Sequence, residues 1–253
     1  MDVFKHNQAA WNAEARAGER WSTPSSKAAL AQARAGSPAI YLTPNRPVPA
    51  PWLGTLKGAK VLALGSGGGQ QVPLLSAAGA RVLSFDASLE QLKLDLATAQ
   101  RAGHPVHGVL GDMADLSALP NDFFDLVVNP VSTVFVPNVR PVWREVARVL
   151  RPGGRLLTGV MNPAFFLFDH DPLPRGVRPE VRYALPTSDV LQGADVSQRA
   201  VEFSHSLTDF IAGQLEVGLQ LSGFFEDDWD ADASPLNAYF PIYLAMMSHK
   251  ALA

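Results

Sequence analysis

No cysteine occurs anywhere in the chain. That excludes a disulfide framework, a thiolate nucleophile and any cysteine-ligated metal, and it makes the cytoplasm the expected location. Charge is also scarce: 18% of the residues are charged, with a formal balance of -3. So acidic a balance gives no electrostatic case for nucleic acid or an anionic membrane, both of which select basic surfaces. Long apolar runs are missing as well. Nothing approaches the ~20 residues that span a bilayer, and the opening MDVFKHNQAAWNAEARAGER has no apolar core of secretory type. A small-molecule partner is the expectation, and nothing in the pattern sets the oligomeric state.

What is present suits one globular domain with additions. Hydrophobic residues make up 47% of 253, enough for one substantial core and crowded for two. The pattern divides the chain into an N-terminal cap (1–50), a regular core (51–160), an insertion (161–205) and a C-terminal helix with two strands (206–253). In the cap, Ser26 to Ala35 (SKAALAQARA) reads as a helix stopped by Gly36 and Pro38. Pro44, Pro47, Pro49 and Pro51 then predict an extended connector without regular hydrogen bonding. The cap either packs outside a sheet or forms a wall of the site.

The core is organised around VLALGSGGGQ, Val61 to Gln70. Four apolar residues breaking into glycines describe a buried parallel strand that ends in a tight loop. Gln71 to Ala78 then starts a helix, with Pro73 tolerated in its first turn and Gly79 past its end. Arg81 to Phe85 is a second strand ending at Asp86, and Ser88 with Gln91 forms a capping box for a helix whose Leu89, Leu92, Leu96 and Ala99 face the sheet. Val106 to Val109 and Phe124 to Val128 are strands three and four. Pro141 opens a helix with a stripe of Val142, Trp143, Val146, Val149 and Leu150, stopped by RPGG, and Arg155 to Val160 is strand five. Such alternation predicts an α/β fold, a mostly parallel sheet with helices on both faces.

Met161 to Ala200 breaks this rhythm with five prolines, and it follows the C-terminal end of a strand, where open α/β sheets bind ligands. It therefore reads as a substrate-side insertion, with a short strand at Val201 to Phe203. Ser206 caps a helix with Leu207, Phe210, Ile211 and Leu215 on one face. Leu219 to Glu226 and Tyr239 to Met247 form an antiparallel pair, because the acidic link between them is too poor in helix for a parallel crossover.

Chemistry is expected at the strand ends. Asp86 can accept two hydrogen bonds from a ribose diol, and Asp112 one from an adenine amino group, with Met113 over the base. A dinucleotide loop wants glycine at its first, third and sixth positions; the sixth here is Gln70, which favours a ligand without phosphates.

These motifs resemble the class I S-adenosylmethionine-dependent methyltransferases, whose fold is a Rossmann-like seven-stranded sheet with a C-terminal antiparallel pair. The likeness covers Lys60 to Val160 and the final strands. It includes Gly65 to Gly69, Asp86, Asp112 with Met113, Phe124 to Asn129, and VLRPGG at Val149 to Gly154. Trp21 to Pro24, Leu42 to Pro44 and Gly67 to Gln71 further resemble a bacterial methyltransferase-11 subgroup. The resemblance implies S-adenosyl-L-methionine as cofactor and S-adenosyl-L-homocysteine as product. It implies cofactor contacts from Gly65, Ser66, Gly67, Gly68, Gly69 and Gln70 in the loop. Asp86, Ala87, Ser88 and Gln91 would follow strand two, Gly111, Asp112 and Met113 strand three, and Asn129 and Pro130 strand four.

The acceptor side is less defined. In-line transfer from a sulfonium needs chiefly positioning, worth roughly 7 to 11 kcal/mol, so a base is optional. His205 can serve as a base or as a structural histidine. Asn129-Pro130 begins an amine-orienting motif from which Val131 and Ser132 depart, or it only flanks the cofactor. Trp21, Tyr41, Phe135, Asn162, Phe165 and His205 are the acceptor-side candidates, with Phe166 and Phe168 as further apolar ones. Asp169, His170 and Asp171 can be read as a divalent-metal cluster or as a solvated loop; adjacent residues rarely converge on one ion, so no metal is expected. The competing readings are a nicotinamide-dependent oxidoreductase and a non-catalytic binding module.

Overall fold

A computed structural model describes residues 1–169, 178–230 and 233–252. His170 and Asp171, two of the three residues weighed as a metal cluster or a solvated loop, lie outside them. Seven strands form one sheet in the order β3-β2-β1-β4-β5-β7-β6. They are β1 (Lys60–Leu64), β2 (Arg81–Asp86), β3 (His107–Leu110), β4 (Phe124–Asn129), β5 (Leu150–Met161), β6 (Leu219–Asp227) and β7 (Tyr243–Lys250). The first five run parallel, and β7 lies antiparallel between β5 and β6.

Alternation along β1 splits the core. Val61 and Ala63 face one side with Leu126, Val128 and Leu157. Leu62 and Leu64 face the other with Val127, Leu156 and Trp143. Both faces are covered, which is why these strands read as nearly continuous apolar runs. The helices are α1 (Val3–Ala17), α2 (Lys27–Arg34), the single turn α3 (Ala50–Leu53), α4 (Gln71–Ala77), α5 (Leu89–Arg101), α6 (Arg140–Val149) and α7 (Gly213–Glu216), the last preceded by a π turn at Thr208–Ala212.

Several local expectations are corrected. The connector is not wholly irregular: Tyr41 and Pro47 form an isolated bridge and Pro51 sits in the first turn of α3. Leu89 is exposed, and Gln91, Leu92, Asp95, Thr98 and Ala99 are the buried positions of α5. Leu207 and Leu215 are exposed too. Phe210 is buried as expected, but the wider π turn changes the angular phase of the helix, so Gly213 and Gln214 turn inward beside it. Strand five begins at Leu150, passing through RPGG with a register shift against β4. Val201 to Phe203 contributes one bridge, Ser188 to Phe203.

α1 was not apparent from periodicity. It docks through amides: Asn7 Nδ2 donates to the carbonyls of Phe135 and Val201 at 3.0 and 3.1 Å, and its Oδ1 accepts from Val201 N at 2.7 Å. Asn12 Oδ1 accepts from the Ser88 hydroxyl at 2.8 Å, and Gln8 Nε2 donates to the Ala87 carbonyl at 2.7 Å.

Candidate functional site

Strand order reverses beside β1, whose parallel neighbours are β2 and β4, so a crevice opens beyond its C-terminal end. Residues 65–69 form the loop there. Gly65 has φ +60°, and a side chain at that position would also strike Ser132 Oγ, 2.6 Å from the ideal Cβ. Glycine is therefore required twice over.

Two carboxylates, the half-buried Asp86 and the fully buried Asp95, shape this loop. Asp86 Oδ2 accepts from the Ser66 N–H at 3.1 Å and Oδ1 from the Ser88 N–H at 2.8 Å. Burial, with a smaller contribution from Asp95, pushes the Asp86 carboxyl up to about 7 against those hydrogen bonds. Asp95, inaccessible to solvent, accepts from the Ser84 hydroxyl at 2.7 Å, from the Ser66 hydroxyl and from the Gly69 N–H. Burial raises its carboxyl as well. Sequence reading passed over Asp95, although an acid on the sheet-facing side of an amphipathic helix was a signal for it.

A strap from the cap closes over the loop. Ser25 N donates to the Gly69 carbonyl at 2.8 Å and Ser25 Oγ to the Gln70 carbonyl at 2.7 Å. Gln70 Nε2 returns a bond to the Arg20 carbonyl at 3.1 Å, and Gln91 Nε2 donates to Ser22 Oγ at 2.8 Å. The cap thus forms a wall of a cavity of about 750 Å³, a size typical of small-molecule sites.

Gly65, Ser66, Gly67, Gln70, Asp86, Ala87 and Gln91 all line this cavity. So do Gly111, Asp112, Met113 and Pro130, and on the acceptor side Trp21, Tyr41 and Phe135. Asp112 Oδ1 also accepts from Ala114 N at 2.8 Å.

Other expected contacts are placed elsewhere. Gly68 packs against Gln91 and Gly69 against Thr98, so both shape the loop from behind. Ser88 is fully buried between Asn12 and the start of α5. Asn129 is also inaccessible: its Nδ2 donates to the Leu64 carbonyl and to Ser132 Oγ, both at 2.8 Å, and its Oδ1 accepts from Thr158 Oγ1 at 3.0 Å. With every side-chain polar atom engaged, it holds the loop after β4 instead of reaching a ligand.

His205 is buried, with Nε2 3.1 Å from the Thr133 carbonyl and its ring edge-on to Phe210 at 5.6 Å. Burial lowers its pKa below the ordinary histidine value. It does not line the cavity, which corrects its reading as a base. Asn162 caps Ala164 and donates to the Pro241 carbonyl at 2.8 Å, and Phe165 is buried against Phe166 and Trp229. Asn7, Trp11, Thr43, Glu202, Trp229 and Tyr243 line the cavity and were not foreseen as site residues.

Comparison with known proteins decides the family. A methyltransferase-domain family model matches residues 62–158. The methyltransferase YbaJ of Bacillus subtilis is 40% identical over 98% of both chains. The chain belongs to the S-adenosylmethionine-dependent methyltransferase family. Solved structures carry the same fold at lower identity. An S-adenosylmethionine-dependent methyltransferase from Mesorhizobium loti superposes with a TM-score of 0.62 at 22% identity, covering 79% of this chain and 94% of its own. The geranyl diphosphate C-methyltransferase of Streptomyces coelicolor, bound to Mg2+, geranyl diphosphate and S-adenosyl-L-homocysteine, gives 0.64 at 14% identity over 99% of both chains.

The methyltransferase's own residues fit the cofactor of its family. Gln91 lines this cavity, and its buried Oε1, set against Gly68, has no hydrogen-bond partner among the described residues. Asp86 and Asp112 bring carboxylate acceptors to the same space, which suits a ligand rich in hydroxyl and amino donors and free of phosphate. Among the described residues no three metal-ligating side chains are grouped, and no helix is long and apolar enough to cross a membrane.

Proposed function

We propose that this methyltransferase acts on a small-molecule acceptor held in the cavity, chiefly by positioning, as a one-domain cytoplasmic enzyme. The observation that carries the reading is the opening of the glycine loop, Asp86, Asp112 and the aromatic cap residues onto one cavity. Bound there, S-adenosylmethionine would supply a methyl group already activated by its sulfonium. Asp86 is assigned to the ribose hydroxyls, Asp112 and Met113 to the adenine, and Gly65, Ser66, Gly67 and Gln70 to the methionine part. Gln91, bonded to Ser22 of the cap, holds the loop from behind.

The side chains then bring the acceptor into line and exclude water, contributions that together can amount to roughly 7 to 11 kcal/mol. A dedicated base is not required. Burial raises the Tyr243 hydroxyl well above its ordinary value, which keeps it protonated at neutral pH. In this reading the cavity, walled by the cap, selects the acceptor.

Tritium transfer from labelled S-adenosylmethionine to a broad panel of small hydroxyl and amino compounds tests this reading. Labelled small products support it. Label that appears only in protein or nucleic acid overturns it.

A further inference from the structure

The side of the cavity above β4, β5 and β7 has a chemistry of its own. Phe4 and Trp11 come down from α1, Phe135 from the turn after β4, Met161 from the end of β5, and Tyr243 from the start of β7. Two edge-to-face ring pairs stiffen these walls. Trp11 meets Phe135 at 5.0 Å and Trp229 meets Tyr243 at 5.9 Å.

One polar atom on this side has no partner. Thr43 is 3% exposed, lines the cavity, and its Oγ1 makes no hydrogen bond among the described residues. Its backbone is pinned on both sides. Leu42 O accepts from Val131 N at 3.1 Å, and Asn45 N donates to Asp227 Oδ2 at 2.9 Å. A buried hydroxyl held so rigidly without a partner is retained at a cost unless a ligand completes it.

Charge narrows the ligand further. Among the described residues, the charged side chains that line the cavity are Asp86, Asp112, Glu202 and Arg20. Arg20 is the sole cation of that set, and it is bound through both terminal nitrogens to Asp230, with its guanidinium 4.5 Å over the Trp21 ring. With Asp86 and Asp112 assigned to the cofactor, an anionic acceptor on this side would meet the Glu202 carboxylate and a guanidinium already neutralised.

We propose that the acceptor is an apolar, aromatic-sized molecule without phosphate or carboxylate, whose single hydroxyl or amino group bonds to Thr43 Oγ1. This inference rests on the methyltransferase reading above and deepens it. Thr43 is a specificity-determining residue in that account, since it engages the one polar group of an otherwise apolar acceptor.

Calorimetric titration of the full chain separates the two. The protein is first titrated with S-adenosyl-L-homocysteine; failure of that step counts against the cofactor assignment alone. The saturated complex is then titrated with 1-naphthol, 1-naphthylamine and 1-naphthyl phosphate. The naphthol or the amine should bind at least about tenfold more tightly than the phosphate. Thr43→Val should weaken that binding about tenfold, the loss of one hydrogen bond, while Thr43→Ser retains it and both variants keep the affinity for S-adenosyl-L-homocysteine. Binding of the phosphate as tight as that of the naphthol overturns the inference. So does an unchanged affinity in Thr43→Val, or the failure of both the naphthol and the amine to bind.

Discussion

Ser66 donates its backbone N–H to Asp86 at 3.1 Å and its hydroxyl to Asp95, so one residue of the glycine loop bridges a half-buried and a fully buried carboxylate. Two acids are thereby held in one low-dielectric pocket, where each opposes ionisation of the other. Asp95→Asn removes the second charge at nearly constant shape. The apparent titration of Asp86 should then move to lower pH, and the loop should loosen because Gly69 N–H loses a charged acceptor. The midpoint of cofactor affinity against pH, followed by calorimetry, checks this; an unmoved midpoint in a folded variant argues that the acids are not coupled.

The same pocket predicts the pH dependence of the wild type. A ribose diol donates to ionised Asp86, so affinity for S-adenosyl-L-homocysteine should rise with pH through about 7 and level off above 8. With an apparent value near 7 the change between pH 6 and pH 8 is about tenfold. Stability of the free protein runs the other way. A carboxyl at about 7 when folded and 3.8 when unfolded binds more protons in the folded state. Its contribution is fully present below pH 3.8 and is lost as pH rises through 7. A flat affinity profile from pH 6 to 8 would contradict the assignment of Asp86.

Asn7 is the main bolt of the cap, with three hydrogen bonds to the backbone of Phe135 and Val201, the two to Val201 buried. Asn7→Ala leaves those groups unpaired and should cost about 1 to 3 kcal/mol. Chemical denaturation measures it. A midpoint equal to that of the wild type would show that α1 is not integral to the fold.

Gly159, in the middle of β5, faces the connector. A Cβ there would meet the Leu42 carbonyl oxygen and, at 2.8 Å, its carbon. Gly159→Ala should therefore displace residues 41–44 and destabilise the protein by about 1 to 3 kcal/mol, as overpacking does. Because Thr43 lies in that segment, the variant should lose acceptor affinity more than cofactor affinity. Equal losses in both would contradict the placement.

Legibility in the sequence followed the physics of each part. β1, β2, β4, α4 and α6 were readable because their apolar periodicity is what buries them, as Trp143 and Val146 at zero exposure show. Asp86 and Asp112 were readable from their place after a strand. α1 was not, because Asn7, Gln8 and Asn12 dock it by amide hydrogen bonds, which leave no hydrophobic pattern. The outward turn of Leu215 depends on a π turn with no sequence signal of its own. His205 looked reactive as a residue type, but its burial behind the Thr133 carbonyl is a tertiary fact.

The central claim is that Asp86 holds the cofactor's ribose. Titration of the wild type and Asp86→Ala with S-adenosyl-L-homocysteine, with the melting temperature of each recorded, tests it most directly. The account predicts one-to-one binding by the wild type and a loss of roughly 1.5 to 3 kcal/mol, about ten- to a hundredfold in affinity, in a variant that still folds. An unchanged dissociation constant in the folded variant would contradict it.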